Sequence, residues 1–285
     1  MKIAHISDIH IDTPARPGSI WEFDRLIKRI LEHNYDHLVI TGDVVDVANT
    51  DDLRKVREVL KQNGILNWEQ TTIIPGNHDI FGKYDTKGNK ALSVIATAMQ
   101  QRVALAAAQK LHAFCDIFRE TITEDAELAG YFPFVKVLGG GKAGIAMVSF
   151  NSVLEWSLRL NPTGARGYVH ASERQAIEQP EVLEVLQGKF VVALCHHAYK
   201  IYEPQTPVDR AFVWAMELLE KDAYLATLKK MNTKIALHGH FHRAEEYDVQ
   251  GVHFINSGSV RRSTAIINSI EIFPDDTYTN AFIQL

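Results

Sequence analysis

The chain has 285 residues, of which 46% are hydrophobic and 23% charged, with a formal net charge of −5. That length is enough to bury one substantial core, and the composition is that of an ordinary globular protein rather than a disordered or fibrous one. Acidic and basic residues are mixed and no cationic arm stands out, which argues against stable nucleic-acid binding.

Residues 3–6 read as a short apolar strand, ended by Ser7-Asp8-Ile9-His10. Ser19-Ile20-Trp21-Glu22 has the spacing of a capping box, and Phe23, Leu26, Ile27 and Ile30 follow at helical spacing, which predicts a helix over 20–33. A second apolar strand, 37–41, runs into Gly42-Asp43. A helix over 51–62 turns Leu53, Val56, Val59 and Leu60 to one face, and a third strand, 71–74, ends in Pro75-Gly76-Asn77-His78-Asp79. Gly76 is expected to supply backbone angles closed to other residues. Strands alternating with helices predict an α/β protein that opens with buried parallel strands.

The region 81–129 is Ala-rich, with helical spacing through Leu92, Ile95, Met99 and Val103 and again through Leu111, Phe114 and Phe118. It reads as one or two helices inserted after the third strand, either a lid or an ordinary packing pair. Strands over 131–138 and 145–151 flank Gly139-Gly140-Gly141. A loop over 161–168 and a helix over 172–186 lead to a buried strand, 190–194, ending in Cys195-His196-His197. A Pro-containing loop, 202–207, and a helix over 208–231 precede the strand 234–237, which ends in His238-Gly239-His240-Phe241-His242. The tail reads as strands over 246–249, 252–255, 264–273 and 278–284. With no linker and no repeat of fixed period, one domain over 1–285 is expected.

Two cysteines, Cys115 and Cys195, are too few for a disulfide framework. His5 and Asp8 interrupt the N-terminus before a signal-peptide core could form, and no apolar run approaches the roughly 20 residues that span a bilayer. A cytoplasmic location without membrane association is the expectation; the oligomeric state is open.

Five predicted strands end in residues of one chemical kind: Asp8 with His10, Asp43, Asn77 with His78, His196, and His240 with His242. Ligands in α/β sheets gather beyond the carboxyl ends of strands, so these groups can meet in one crevice. The i, i+2 pairs Asp8/His10 and His240/His242 put both side chains on one side of extended backbone. Taken singly, an Asp after a strand is ordinarily a turn or cap residue, and a His there ordinarily packs. Coincidence at five strand ends favours a metal site. His5, His33, His37, His112, His170 and His253 lack this context and read as structural. A donor set without cysteine disfavours a closed structural zinc site. Mixed nitrogen and oxygen donors suit manganese, iron or zinc, and seven donors exceed what one ion takes, so two ions are expected.

These stretches, Asp8-Ile9-His10, Gly42-Asp43-Val44-Val45-Asp46, Gly76-Asn77-His78-Asp79, His196 and Gly239-His240-Phe241-His242, resemble the five ordered motifs of the calcineurin-like metallophosphoesterases. The resemblance implies a four-layer αββα sandwich, two mixed sheets with helices outside. It implies that Asp8, His10 and His242 hold one metal, that Asn77, His196 and His240 hold the other, and that Asp43 bridges them. His78 would act on the leaving group, with Asp46 orienting its other nitrogen, and Asp79 would serve the turn or the surroundings of the site. His197 would face substrate or pack. The Ser-Asp-x-His opening and the His-His pair resemble the branch of bacterial cyclic-nucleotide and glycerophosphodiester phosphodiesterases, although Ala198 stands where that branch commonly has Pro. The implied activity is hydrolysis of a small phosphodiester by water activated between two metal ions. The alternatives are a phosphomonoesterase or protein phosphatase, a nuclease, or a scaffold without activity.

Overall fold

The computed structural model describes residues 1–82, 96–124, 132–139, 144–261 and 266–285, with backbone alone for 96–102. The chain begins β1 (Lys2–Ile6), α1 (Ser19–Glu32), β2 (His37–Thr41), α2 (Thr50–Gln62) and β3 (Thr71–Ile74), the alternation expected. A single helical turn, α3 (Asn77–Ile80), and a long helix, α4 (Ala96–Ile117), follow. Then come β4 (Phe134–Leu138), β5 (Ile145–Ser149), β6 (Gly167–Tyr168), α5 (Ala171–Ile177), α6 (Pro180–Leu186) and β7 (Phe190–Leu194). The chain closes with α7 (Pro207–Met216), β8 (Leu218–Leu219), α8 (Lys221–Lys230), β9 (Thr233–His238), β10 (Ala244–Val249), β11 (Val252–Ser257), β12 (Ile266–Ile272) and β13 (Tyr278–Gln284).

Two mixed sheets form, ordered β13-β12-β1-β2-β3 and β10-β11-β9-β7-β5-β4. In the first, β1, β2 and β3 are parallel; in the second, β5, β7, β9 and β11 are parallel. Alternate strand residues sort into layers, because successive side chains leave a strand on opposite faces. Val192 and Leu194 point inward to meet Ile3, Val39 and Ile270 of the other sheet. Val191 and Ala193 point outward, against Leu225 and Leu228 of α8. On the far side Ala4, Ile6 and Ile40 pack beneath Phe23 and Ile27 of α1, Val56 of α2, and Phe114 of α4. The result is the expected sandwich of two sheets between helical layers.

Local expectations fare unevenly. The capping box at Ser19 does not form: Gly18 holds the N-cap position, and the Ser19 hydroxyl instead accepts the Asp12 N–H at 3.4 Å. The helix expected over 172–186 is two helices. Pro180 brings no N–H and restricts the residue before it, so Gln179 is extended (ψ 138°) between them. The helix expected over 208–231 also breaks, at the extended Glu217 and at Glu220 with φ +47°; between them β8 pairs in parallel with β6, which lies in the expected loop 161–168. Of the region 81–129, the helix α4 and a 3-10 turn at Arg119–Thr121 are described. Leu92 and Ile95, residues 125–131, Gly140, Gly141 and the start of the strand expected from 264 lie outside the described residues. Among the described residues, no helix is long and apolar enough to cross a membrane.

Candidate metal centre

β1, β2 and β3 carry Asp8, His10, Asp43, Asn77 and His78 out from one sheet, while β7 and β9 carry His196, His240 and His242 out from the other. The donor-bearing loops turn sharply. Asp8, His10, Asp43, His240 and His242 have φ of +54, +52, +50, +73 and +58°. Non-glycine residues avoid that region at a cost of about 1 kcal/mol or more each, and such strain concentrates at functional sites. Asp8 and His10 therefore reach one place through left-handed turns, not through the extended backbone inferred from their spacing.

Three groups of possible donors result among the described residues, each with its atoms within 4.8 Å of one another: Asp8, His10, Asp43 and His242; Asp43, His196 and His240; and His10, Asp46 and His78, the last taken here as support for His10. Asp43 belongs to the first two. In the first group His242 Nε2 is 3.0 Å from His10 Nε2 and 3.0 Å from Asp8 Oδ1. In the second His196 Nε2 lies 3.3 Å from Asp43 Oδ2 and 3.2 Å from Asn77 Oδ1. The two oxygens of Asp43 have different work. Oδ1 accepts the His78 N–H at 2.8 Å, whereas Oδ2 stands between the groups, 3.9 Å from His10 Nε2 and 3.3 Å from His196 Nε2.

This arrangement fits cations. His196 Nδ1 donates to the Thr41 carbonyl at 2.7 Å, which leaves Nε2 facing a carboxylate and an amide oxygen. A proton or a metal ion must stand between such acceptors. Without metal it is a proton: burial opposes charge on His196, but Asp43 overcomes this and raises its pKa to about 9. His240 Nε2 is buried without a hydrogen-bond partner among the described residues. His10 is oriented by Asp46, whose Oδ1 is 3.2 Å from its Nδ1, the outer carboxylate support usual for ligating imidazoles.

His78 is 24% exposed at the side chain and opens the site to solvent. Its Nδ1 donates to the Asp46 backbone carbonyl at 2.9 Å; the Asp46 carboxylate, assigned to it from sequence, is farther at 3.4 Å and closer to His10. Burial disfavours its charge, yet Asp43 and Asp46 raise its pKa to about 9. Asp79 bonds backbone, accepting the Val45 and Gly76 N–H groups at 2.8 Å each, and so ties two donor loops together. His197 is fully buried, its ring 4.4 Å from that of His240 and its Nδ1 2.9 Å from the Ser152 hydroxyl. It packs against His240.

Two glycines permit the close approach. Gly76 is extended at φ −109°, angles open to any residue, which corrects the conformational reading. Its need for hydrogen is steric, since a Cβ there would lie 2.2 Å from Asp43 Oδ1. A Cβ on Gly239 would lie 1.8 Å from Ser7 Oγ and 2.5 Å from Asp8 Oδ2. Sequence reasoning missed a sixth strand end. Near the end of β11 Asn256 donates to the Gly239 carbonyl at 3.0 Å, and beyond it Ser259 donates to the Asp8 carbonyl at 2.9 Å and Arg261 Nη1 to Asp46 Oδ2 at 3.0 Å. The signal was an Asn-Ser-Gly-Ser run directly after an apolar strand.

The sequence matches the calcineurin-like phosphoesterases over residues 1–244, and the chain belongs to that family. No curated protein matches it. Among solved structures, a dimetal phosphatase from Danio rerio has a TM-score of 0.61 at 13% identity, covering 99% of this chain and 95% of that one. A purple acid phosphatase from yellow lupin (Lupinus luteus) has a TM-score of 0.53 at 12% identity, covering 95% of this chain and 49% of that one. At these identities the likeness is one of fold.

Proposed function

We propose that this chain hydrolyses a small phosphodiester, such as a cyclic nucleotide, at a centre of two metal ions (manganese, iron or zinc). The observation that carries the reading is the sharing of Asp43 between two donor groups. Asp8, His10 and His242 would hold one ion, and Asn77, His196 and His240 the other. Asp43, which belongs to both groups, would be shared between them. When bound, the ions supply Lewis acidity and bring the pKa of water toward neutrality.

The chain's own residues supply the rest. His78 keeps Nδ1–H on the Asp46 carbonyl, so Nε2 is the nitrogen that passes a proton to the departing oxygen as its bond to phosphorus breaks. In the metal-free chain burial opposes charge on that imidazole, and Asp43 and Asp46 outweigh it. Asp46 and Arg261 hold His10 in place. The preference for diesters rests on the Ser7-Asp8-Ile9-His10 opening and the His196-His197 pair. We take 1–285 as one domain, 81–129 as an insertion beside the site, and the setting as cytoplasmic, where the buried thiols of Cys115 and Cys195 stay reduced.

The test is a panel of bis- and mono-nitrophenyl phosphates and cyclic nucleotides on manganese-loaded protein. Diesters should be turned over faster than monoesters; the reverse ranking makes the protein a phosphomonoesterase. His78→Ala should lower kcat by about 10²–10⁴-fold on poorly acidic leaving alcohols, spare nitrophenyl esters by comparison, and leave metal content intact. Equal losses on both substrate types would remove the proton-donor role.

A further inference from the structure

Three aromatic rings meet outside the buried core, one of them carried by the residue between two metal donors. Phe241 stands in the chain between His240 and His242. Its ring centroid is 5.6 Å from that of Tyr202 and 6.4 Å from that of Phe212. Tyr202 and Phe212 are 6.3 Å apart with their planes inclined by only 20°. None of the three belongs to a buried hydrophobic cluster. Phe212 is 44% exposed.

The helix that carries Phe212 sharpens the point. α7 buries none of its residues, although it bears Val208, Phe212, Val213 and Trp214. A helix in a folded protein is ordinarily held by burying its apolar face. Here the start of the helix is secured locally: the Thr206 hydroxyl accepts the Asp209 N–H at 3.1 Å, and Asp209 Oδ2 accepts the Thr206 N–H at 2.9 Å. Val208 and Phe212 therefore remain at the surface, whereas one face of Trp214 is covered by the Arg166 guanidinium, and an exposed aromatic patch marks a ligand surface.

We propose that Tyr202, Phe212 and Phe241 form a stacking platform for a flat, nucleobase-sized group of the phosphate ester held at the metal centre. The inference rests on the phosphodiesterase reading and deepens it by naming the organic part of the substrate. Phe241 is bonded on both sides to donor residues, so the ring and two of the donors are carried by one short loop. His242, next to Phe241, is one of the donors that reach solvent, with 21% of its side chain exposed, so the platform lies on the open side. The rings carry no charge and suit the neutral face of a base, whereas a glycerol-like alcohol gains little from them. Base–aromatic stacking depends on the π-face alone and tolerates any base.

The test is calorimetric titration of manganese-loaded protein with adenosine monophosphate, the product of cyclic-nucleotide hydrolysis, and with inorganic phosphate. Adenosine monophosphate should bind at least tenfold tighter than phosphate, the scale of one stacking contact. Phe212→Ala and Tyr202→Leu should each remove most of that advantage while phosphate affinity stays unchanged. Equal affinities in the unaltered protein overturn the platform. So does a parallel loss of both ligands in the variants, which assigns the rings to supporting the donors. A dimer dissolved by Phe212→Ala, with the nucleotide advantage intact, overturns it in favour of a second copy of the chain. If no ester is hydrolysed while a ring-dependent nucleotide advantage persists, the hydrolytic reading fails and the platform stands.

Discussion

The two donor groups that meet at Asp43 are built differently. Asn77, His196 and His240 are 4%, 0% and 3% exposed, and His196 is fixed by a backbone carbonyl at the end of β2. The other group ends in His242, whose side chain is partly open to solvent and whose close neighbours, His10 and Asp8, are themselves donors. Both groups are tied to the fold, one through Thr41 on His196 and the other through Asp46 on His10, and they differ in the exposure of His242. Each takes side chains from both sheets, so a bound ion would tie the two sheets together and stabilise the folded state by mass action. On the proposed two-ion reading, the difference would separate an inner position that retains its ion from an outer one nearer solvent.

The strongest way to break this comparison is to remove what the groups share. Asp43→Asn should lose both metal equivalents by elemental analysis and lower kcat/KM by about 10³-fold or more, given the Lewis acidity at stake. Retention of two equivalents would mean that Asp43 is not the common ligand. A sharper cut separates the groups. His242→Ala should keep one tightly held equivalent and a near-normal melting temperature. His196→Ala should lose the inner equivalent and also stability, since it empties a buried site where Thr41 and Asp43 have lost their partner. Identical metal stoichiometry and melting temperature in the two variants would abolish the distinction.

Protonation gives a smaller effect. In chelator-treated protein Asp43 leaves its charge to the neighbouring histidines. Burial opposes charge on both His78 and His196, but Asp43 prevails and raises each to about 9. A folded pKa above the ordinary 6.5 means that these protons are bound more firmly in the folded state. That stability is complete below about 6.5 and is lost as pH rises through about 9. Asp79, raised to about 7 by burial and by Asp43, gives up its share earlier. Lys136, depressed by burial, pulls the other way, so the measurement is a difference. From pH 7 to 9 the metal-free protein should lose several degrees of melting temperature more than metal-free Asp43→Asn. Parallel slopes would take Asp43 out of this electrostatic role.

Much of the site was legible in sequence because strand ends announce themselves. Apolar runs such as Phe190–Leu194 stop at a polar pair, and the register of five such stops converges once the strands are parallel. What could not be read was long-range partnership. Nothing in the spacing tells that Asp46 leans on His10 as well as on His78, or that His197 turns inward against His240. The left-handed backbone of Asp8, His10 and His242 was equally hidden, since aspartate and histidine do not advertise positive φ as glycine does. The helices were misread where propensity outweighed punctuation: Pro180 and the pair Glu217 and Glu220 break apolar spacing that otherwise continues. The run after β11 was passed over because its neighbours carry hydroxyl and amide groups rather than histidine.

That run supplies the smallest expected effect and the finest test of the inner and outer positions. Arg261 donates to Asp46 Oδ2 at 3.0 Å, and the other oxygen of the same buried carboxylate stands 3.2 Å from His10 Nδ1. Removing the guanidinium frees the Asp46 carboxylate to turn, so it no longer holds the His10 ring in one orientation, and of the two groups that share Asp43, His10 belongs only to the one with Asp8 and His242. His78 is spared, because its nearer acceptor is the Asp46 backbone carbonyl, which a side-chain change at Arg261 does not alter. Arg261→Gln should therefore weaken the affinity for the second, outer metal equivalent by about tenfold, the low end for outer-shell partners of ligating histidines. The first equivalent should be unaffected, and kcat at saturating manganese should fall only a few-fold. Equal weakening of both equivalents would show that Arg261 supports the whole centre, and the division between a retained inner ion and an exchangeable outer one would lose its basis.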